Sequence, residues 1–256
     1  MTGIALTLIG GPTALIDYRG TVFLTDPTFD PPGEYPIGPN EVLRKLSGPA
    51  LPLPGLPELD AILLSHDEHP DNLDEFGRLA LARAGQVLST PGAASRISGV
   101  LGLHPWESAE VNGTLVTAVP ALHGPEEIDN ATVEAEVGEV VGFVLEAAGA
   151  PTVYVSGDNA SLKIVEAVAA GFPDIAVAVL FTGAARTELF DGAPLTLTAE
   201  QAAEAARLMP DAVVVPVHSE GWAHFSEGHA ELEASFESAG IAARLVLPMP
   251  GVALEL

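Results

Sequence analysis

An α/β (α+β) chain is what the sequence predicts, on three observations. Short β-branched and apolar runs recur from residue 4 to residue 217, each too brief for an independent helix. Beyond residue 60, stretches of helical length with capping residues alternate with those runs. A length of 256 residues with 48% hydrophobic content fills a sizeable core, as one large domain or two small ones.

The chain opens with Ile4 to Ile9, Thr13 to Asp17 and Thr21 to Thr25, parted by Gly10-Gly11-Pro12 and Arg19-Gly20, which predicts a β-meander. Nine prolines between residues 26 and 58 argue against any regular element there. Only 25 residues precede this stretch, too few for a domain, so it reads as an internal surface loop, and residues 1–256 as a single domain. Ala61 to Ser65 predicts a buried strand, His66 to Asn72 a loop, and Leu73 to Ala84 a helix stopped by Gly85. Leu115 to Val119, Val140 to Leu145, Thr152 to Ser156, Ala176 to Phe181 and Ala212 to Val217 predict further strands. Helices are predicted over Ser161 to Ala170, over Thr198 to Met209 behind the capping box Thr198-x-x-Gln201, and over Glu227 to Ala239 before Gly240. No short fixed-period repeat is visible, which excludes solenoids and propellers.

Ten Lys plus Arg against 35 Asp plus Glu give a net charge of −25, with Lys45 and Lys163 the only lysines. Such a surface repels phosphate backbones and anionic membranes, so neither nucleic acid nor membrane is expected as a partner. The partner expected is a small-molecule substrate. The absence of cysteine excludes disulfides, thiolate catalysis and Cys-ligated metal, and leaves His and carboxylate as the strong ligands. No basic segment precedes the apolar residues of Met1 to Ile9, and no apolar run reaches a membrane span, so the expected compartment is the cytoplasm.

Four of the seven histidines fall just past the C-terminal end of an apolar run: His66 and His69, His123, and His218. Asp158 follows another. Loops leaving strand C-termini share one edge of a sheet, so these residues can meet, and imidazole with carboxylate suits zinc, manganese or iron. Singly, each has a duller explanation. Asp158 could cap the helix near Ser161, and Asn72-Leu73-Asp74-Glu75 has capping-box spacing that makes Asn72 a cap rather than a ligand. His104 and His229 follow no strand end and receive no function.

Ser65-His66-Asp67-Glu68-His69-Pro70-Asp71-Asn72-Leu73-Asp74 resembles a variant of the H-x-H-x-D-H signature of the metallo-β-lactamase superfamily. Pro120-Ala121-Leu122-His123-Gly124 resembles its third-histidine loop, Ser156-Gly157-Asp158 its metal-bridging aspartate turn, and Pro216-Val217-His218 its last histidine. Leu24-Thr25-Asp26-Pro27 fits as well, and together the motifs are similar to the lactonase-like branch. The resemblance implies a four-layer αββα sandwich and one or two divalent ions, zinc first and manganese or iron as alternatives. The ligands it implies are His66, His69, Asp71, His123, Asp158 and His218. This chain departs by reading H-x-x-H-x-D-N, with one extra residue between the histidines and Asn72 where the pattern has His, which weakens the second metal site. His69 keeps the spacing to Asp71, while Glu68 takes the place if the register runs from His66.

A divalent ion lowers the pKa of water it binds from 15.7 toward about 7 and so supplies a hydroxide nucleophile, which predicts a hydrolase of a small or medium ester, lactone, amide or phosphate. Asp71 serves either as ligand or as the catalytic proton carrier. Downstream, Gly221-Trp222-Ala223-His224-Phe225 offers Trp222 as a pocket wall or a core residue, and His224 as a catalytic or substrate-binding imidazole. Arg186 is placed to meet an anionic substrate, or is a surface charge. An iron-dependent oxidoreductase and a non-catalytic metal-binding protein are the alternative functions.

Overall fold

A computed structural model describes residues 3–38 and 41–256. Strands β1 (Ile4–Gly10), β2 (Thr13–Tyr18) and β3 (Thr21–Thr25) form the expected antiparallel meander. After β4 (Gly33–Pro36), β5 (Val42–Lys45) and β6 (Leu59–Leu63) come α1 (Glu75–Leu81), β7 (Ala84–Ser89), α2 (Pro91–Arg96) and β8 (Val100–Gly102). The second half runs β9 (Ser108–Val111), β10 (Thr114–Pro120), α3 (Asn130–Val137), β11 (Val141–Glu146), β12 (Thr152–Val155), α4 (Leu162–Gly171), β13 (Ile175–Phe181), α5 (Ala199–Leu208), β14 (Val213–Val217), α6 (His229–Ser238) and β15 (Ala253–Glu255).

Two sheets result, ordered β15-β1-β2-β3-β6-β7-β8 and β14-β13-β12-β11-β10-β9. Alternation along each strand decides the layers. Leu6, Ile16, Phe23 and Leu63 of the first sheet share one buried cluster with Val116, Phe143, Val155 and Val215 of the second, which places a core between the sheets. The other face of the second sheet, with Val144, Tyr154 and Ala178, packs on Val165 of α4, Ala202 and Ala206 of α5 and Phe236 of α6. On the first sheet, Leu24 and Ile62 pack on Ala80 of α1 and on Phe29 and Leu56. Helices therefore cover both outer faces, and the architecture is the αββα sandwich. Strands β12, β13 and β14 are parallel, and β10 runs with them because β11 is antiparallel to both β10 and β12. Their C-terminal loops consequently leave one edge. Pro216 is tolerated in β14 because that strand is the sheet's edge.

The proline-rich stretch differs from expectation: β4 and β5 pair there as a hairpin. Its ladder pairs residues 33–36 with 42–45, and the one proline in it, Pro36, stands at the strand's last position opposite Val42. Helix α1 ends at Leu81, and Gly85, expected as its stop signal, lies inside β7. A Cβ at Gly85 would come within 2.8 Å of the Asp60 carbonyl, so this glycine permits close strand approach rather than ending a helix. Among the described residues, no helix is long and apolar enough to cross a membrane.

Asp74 ties the hairpin to α1. Its Oδ1 accepts from Gly77 N at 2.7 Å and Phe29 N at 2.9 Å, and its Oδ2 from Asp30 N at 2.7 Å and Lys45 Nζ at 2.9 Å. Both side chains of the ion pair are buried. Lys45→Met leaves that carboxylate without its counter-charge and is expected to cost about 3 kcal/mol of stability in urea denaturation. A cost below about 1 kcal/mol would show that the three backbone donors suffice.

Candidate metal centre

The loop after β6 is pinned before its histidines begin. Ser65 N donates to Asp26 Oδ1 at 2.7 Å, and Val141 N donates to the Ser65 carbonyl at 3.1 Å. The turn after β12 needs Gly157, whose φ is +59° and where a Cβ would lie 2.5 Å from the Val141 carbonyl. Asp158 follows it into the space between the loops. His218, directly after β14, holds φ at +53°, a left-handed conformation costly for a non-glycine residue, and donates its N–H to the Gly11 carbonyl at 2.8 Å.

These turns bring His66, His69 and His123 together, with one nitrogen from each inside a 4.8 Å group. His66 Nε2 stands 2.9 Å from His69 Nδ1, and His66 Nδ1 is 2.9 Å from Ser65 Oγ. His123 Nδ1 lies 2.7 Å from the Leu195 carbonyl, so it carries the proton and leaves Nε2 as a lone-pair donor, 3.5 Å from Asp158 Oδ2. Burial, and then the neighbouring imidazoles, push His66 well below the usual histidine range and His69 down to about 4. Both are neutral at pH 7, the form that binds a metal.

Asp158 Oδ1 faces the other way, 3.4 Å from His218 Nε2 and 3.3 Å from Asn72 Nδ2. Asp71 Oδ2 lies 3.5 Å from His218 Nε2 and 3.0 Å from His224 Nε2. Burial alone would lower His218, yet Asp158 and Asp71 raise it to about 10. Burial likewise opposes ionisation of both aspartates, and the facing imidazoles overcome it, holding both carboxyls below the usual range. Asn72 is not the helix cap its spacing suggested. Asp74 caps α1, Ser161 caps α4, and Asn72 and Asp158 lie buried in the cluster.

Residues 21–219 match the Beta-lactamase superfamily domain. The chain belongs to the metallo-β-lactamase superfamily. Within it, the UPF0173 protein YddR of Bacillus subtilis (strain 168) is 24% identical over 259 residues, covering 96% of this chain and 97% of YddR. A UPF0173 metal-dependent hydrolase of Myxococcus xanthus is 27% identical over 208 residues, covering 77% and 69%. Among solved structures, an isothiocyanate hydrolase from Delia radicum gut bacteria is similar with a TM-score of 0.81 and 25% identity, over 98% of each chain. A possible metal-dependent hydrolase from Veillonella parvula shares the fold with a TM-score of 0.83 and 23% identity, over 98% and 99%.

The superfamily's requirement for a divalent ion fits the donors present. The neutral His66 and His69 and the ionised carboxylates converge, and Asn72 Oδ1, His218 Nδ1 and His224 Nδ1 are buried without a hydrogen-bond partner among the described residues. Such orphaned atoms are costly unless an ion or water satisfies them. His66, His69 and His123 could hold one ion with Asp158, and Asp71 and His218 could share Asp158 in holding another.

Other residues singled out from the sequence lie further out. Glu68 reaches Arg96 outside the cluster, whereas His69 is inside it. The Arg186 guanidinium is exposed and donates to Ser226 Oγ and the Gly192 carbonyl. Trp222 is buried against Tyr35, with Lys45 Nζ 5.4 Å over its ring. Phe225 packs on both His218 and His224 at 4.6 Å between ring centroids.

Sequence reading missed Arg96. Its guanidinium donates to both carboxylate oxygens of Asp67 and to Glu68, while Arg78 reaches the Asp67 carbonyl at 3.3 Å, so the loop bearing His66 and His69 is clamped from outside. Arg96→Gln is expected to weaken the first metal ion about 10- to 100-fold in chelator competition, with Arg96→Lys intermediate. Unchanged affinity in both variants would make the clamp irrelevant to the metal.

Proposed function

We propose that the chain is a metal-dependent hydrolase of a small or medium ester, lactone, amide or phosphate, working in the cytoplasm with zinc as first-choice ion. The observation that carries this is three clustered imidazoles, of which His66 and His69 are held neutral, and two ionised carboxylates converging beside a cleft. When bound, a divalent ion supplies an activated water and polarises the substrate's electrophilic centre. His66, His69 and His123 would hold it through ring nitrogens, with Asp158 beside them. Asp71 Oδ2, 3.0 Å from His224 Nε2, would be the carboxylate placed to relay a proton between the nucleophile and the leaving group when no second ion occupies it. The apolar wall formed by Leu195 and Leu189 limits access of bulk water.

The similarity to an isothiocyanate hydrolase supports adding isothiocyanates to the substrates tested. Metal content should be measured on protein purified without added metal, followed by a panel of esters, lactones, amides, phosphodiesters and isothiocyanates. Turnover of at least one class, abolished by chelation and restored by zinc or manganese, is expected. A metal-loaded sample inert across the panel would favour a non-catalytic metal-binding role, and oxygen consumption by an iron-loaded sample would favour an oxidoreductase. With a net charge of −25, the protein is expected to bind neither duplex DNA nor anionic vesicles at physiological salt.

A further inference from the structure

We infer that the groove between α1 and α2, on the outer face of the first sheet, binds a small amphipathic carboxylate, with Arg78 receiving the head group and Leu81, Val87, Ile97 and Val100 the apolar body. None of the residues lining it is a candidate metal ligand, so the inference stands whether or not the chain is a hydrolase. A cavity of about 610 Å³ opens there, within the roughly 300–1,000 Å³ of sites that take small molecules. Val87 of β7 is buried in the cluster beneath α1, and Leu81, Ile97 and Val100 pack against that cluster while keeping part of their surface in the groove. A ligand that covers them removes apolar surface from water, worth about three- to fourfold in binding per methylene buried.

The charge in the groove is of one sign. Arg78 enters from α1 and Arg96 from α2, and among the described residues no Asp or Glu lines the cavity, in a chain that carries 35 of them. Both guanidiniums meet at Asp67, which fixes them at the same end of the groove. Their engagements differ. Arg96 is matched by Asp67 and Glu68, whereas Arg78 donates a single hydrogen bond, from Nη2 to the Asp67 carbonyl at 3.3 Å, and forms no ion pair among the described residues. Asp30, Asp74 and Glu75 stand on its other side, but Asp74 is taken by Lys45 and Asp30 Oδ1 by Phe76 N. Arg78 therefore keeps guanidinium donors to spare, and its planar fork suits one carboxylate. An apolar trough that ends in one unmatched guanidinium fits an alkyl or aryl carboxylate. A polyphosphate or a nucleic acid would need more cations, and an organic cation would face the arginines.

The test uses zinc-loaded protein and two probes of equal length, hexanoate and hexanamide. Binding is followed by NMR through the methyl resonances of Leu81, Val87, Ile97 and Val100, which separates the groove from any carboxylate that coordinates the zinc. Hexanoate is expected to saturate those methyls at least about fivefold more tightly than hexanamide, and acetate to bind more weakly than hexanoate. Arg78→Gln is expected to bring hexanoate down to the affinity of hexanamide. Ala82→Glu, at an exposed position on the groove wall, is expected to repel hexanoate while sparing hexanamide, which keeps the test open if the Arg78 substitution unfolds the protein. Groove methyls that do not respond to hexanoate, or that respond equally to both probes, overturn the inference. So does a hexanoate affinity unchanged in folded Arg78→Gln or, where that variant does not fold, in Ala82→Glu.

Discussion

Replacing His123 with alanine is expected to strip the metal and abolish hydrolysis together. His123 supplies one of three clustered imidazoles, and its ring cannot be exchanged for a neighbour's, because Nδ1 is committed to the Leu195 carbonyl at 2.7 Å and only Nε2 faces the cluster. A structural zinc site binds with about 10–16 kcal/mol over four ligands, so losing one ligand weakens the ion by about a hundred- to thousandfold. Activity should fall at least as far, since the ion that activates the nucleophile leaves and the remaining His66 and His69 lose a partner in orienting it. The loss is expected to spare the fold, because His123 sits in a loop and the sandwich core is built from strand residues. Metal analysis after dialysis, circular dichroism and turnover on one preparation decide the matter. A folded variant that keeps its full metal content would remove His123 from the ligand set.

The cluster was legible in the sequence because it depends on a local pattern: an apolar run, then a histidine or aspartate. Strand ends at Leu63, Pro120, Val155 and Val217 are where side chains converge when the strands lie side by side. Helices with paired start and stop signals, such as α5 with its Thr198-Gln201 capping box, were equally legible. What escaped depends on contacts remote in sequence. Asn72 and Asp74 both have cap chemistry, and Asp74 takes the role because Phe29, Asp30 and Lys45, more than 25 residues earlier, also donate to it. Strand β7 was hidden because the alanine-rich end of α1 runs straight into it, and only proximity to Asp60 explains Gly85. The Leu195 carbonyl and Arg96 carry no local signal for the metal loop at all.

Metal-free protein titrated with zinc or manganese is expected to show one tight step and a second at least about a hundredfold weaker. The first ion meets three imidazoles, of which His66 and His69 already stand neutral at pH 7, so it expels no proton from either. The second would depend on Asp71, His218 and the shared Asp158, and two features oppose it. Asn72 stands where the superfamily pattern has a histidine, and it offers an amide, a weaker donor than imidazole to a borderline ion. Its Nδ2 points at Asp158 Oδ1 from 3.3 Å, occupying an oxygen that a second ion would need. His218 is the other obstacle. Raised to about 10 by Asp158 and Asp71, it carries a proton at neutral pH that an entering cation must displace. Since the charged form resists the ion, the second step should tighten as pH rises, while His66 and His69 impose no such slope on the first. Asn72→His restores an imidazole beside Asp158 and removes the competing N–H, so it is expected to tighten the second step about 10- to 100-fold and leave the first unchanged. Calorimetric titration at two pH values reads both effects, and two equally tight ions in the unsubstituted protein would sink the proposal.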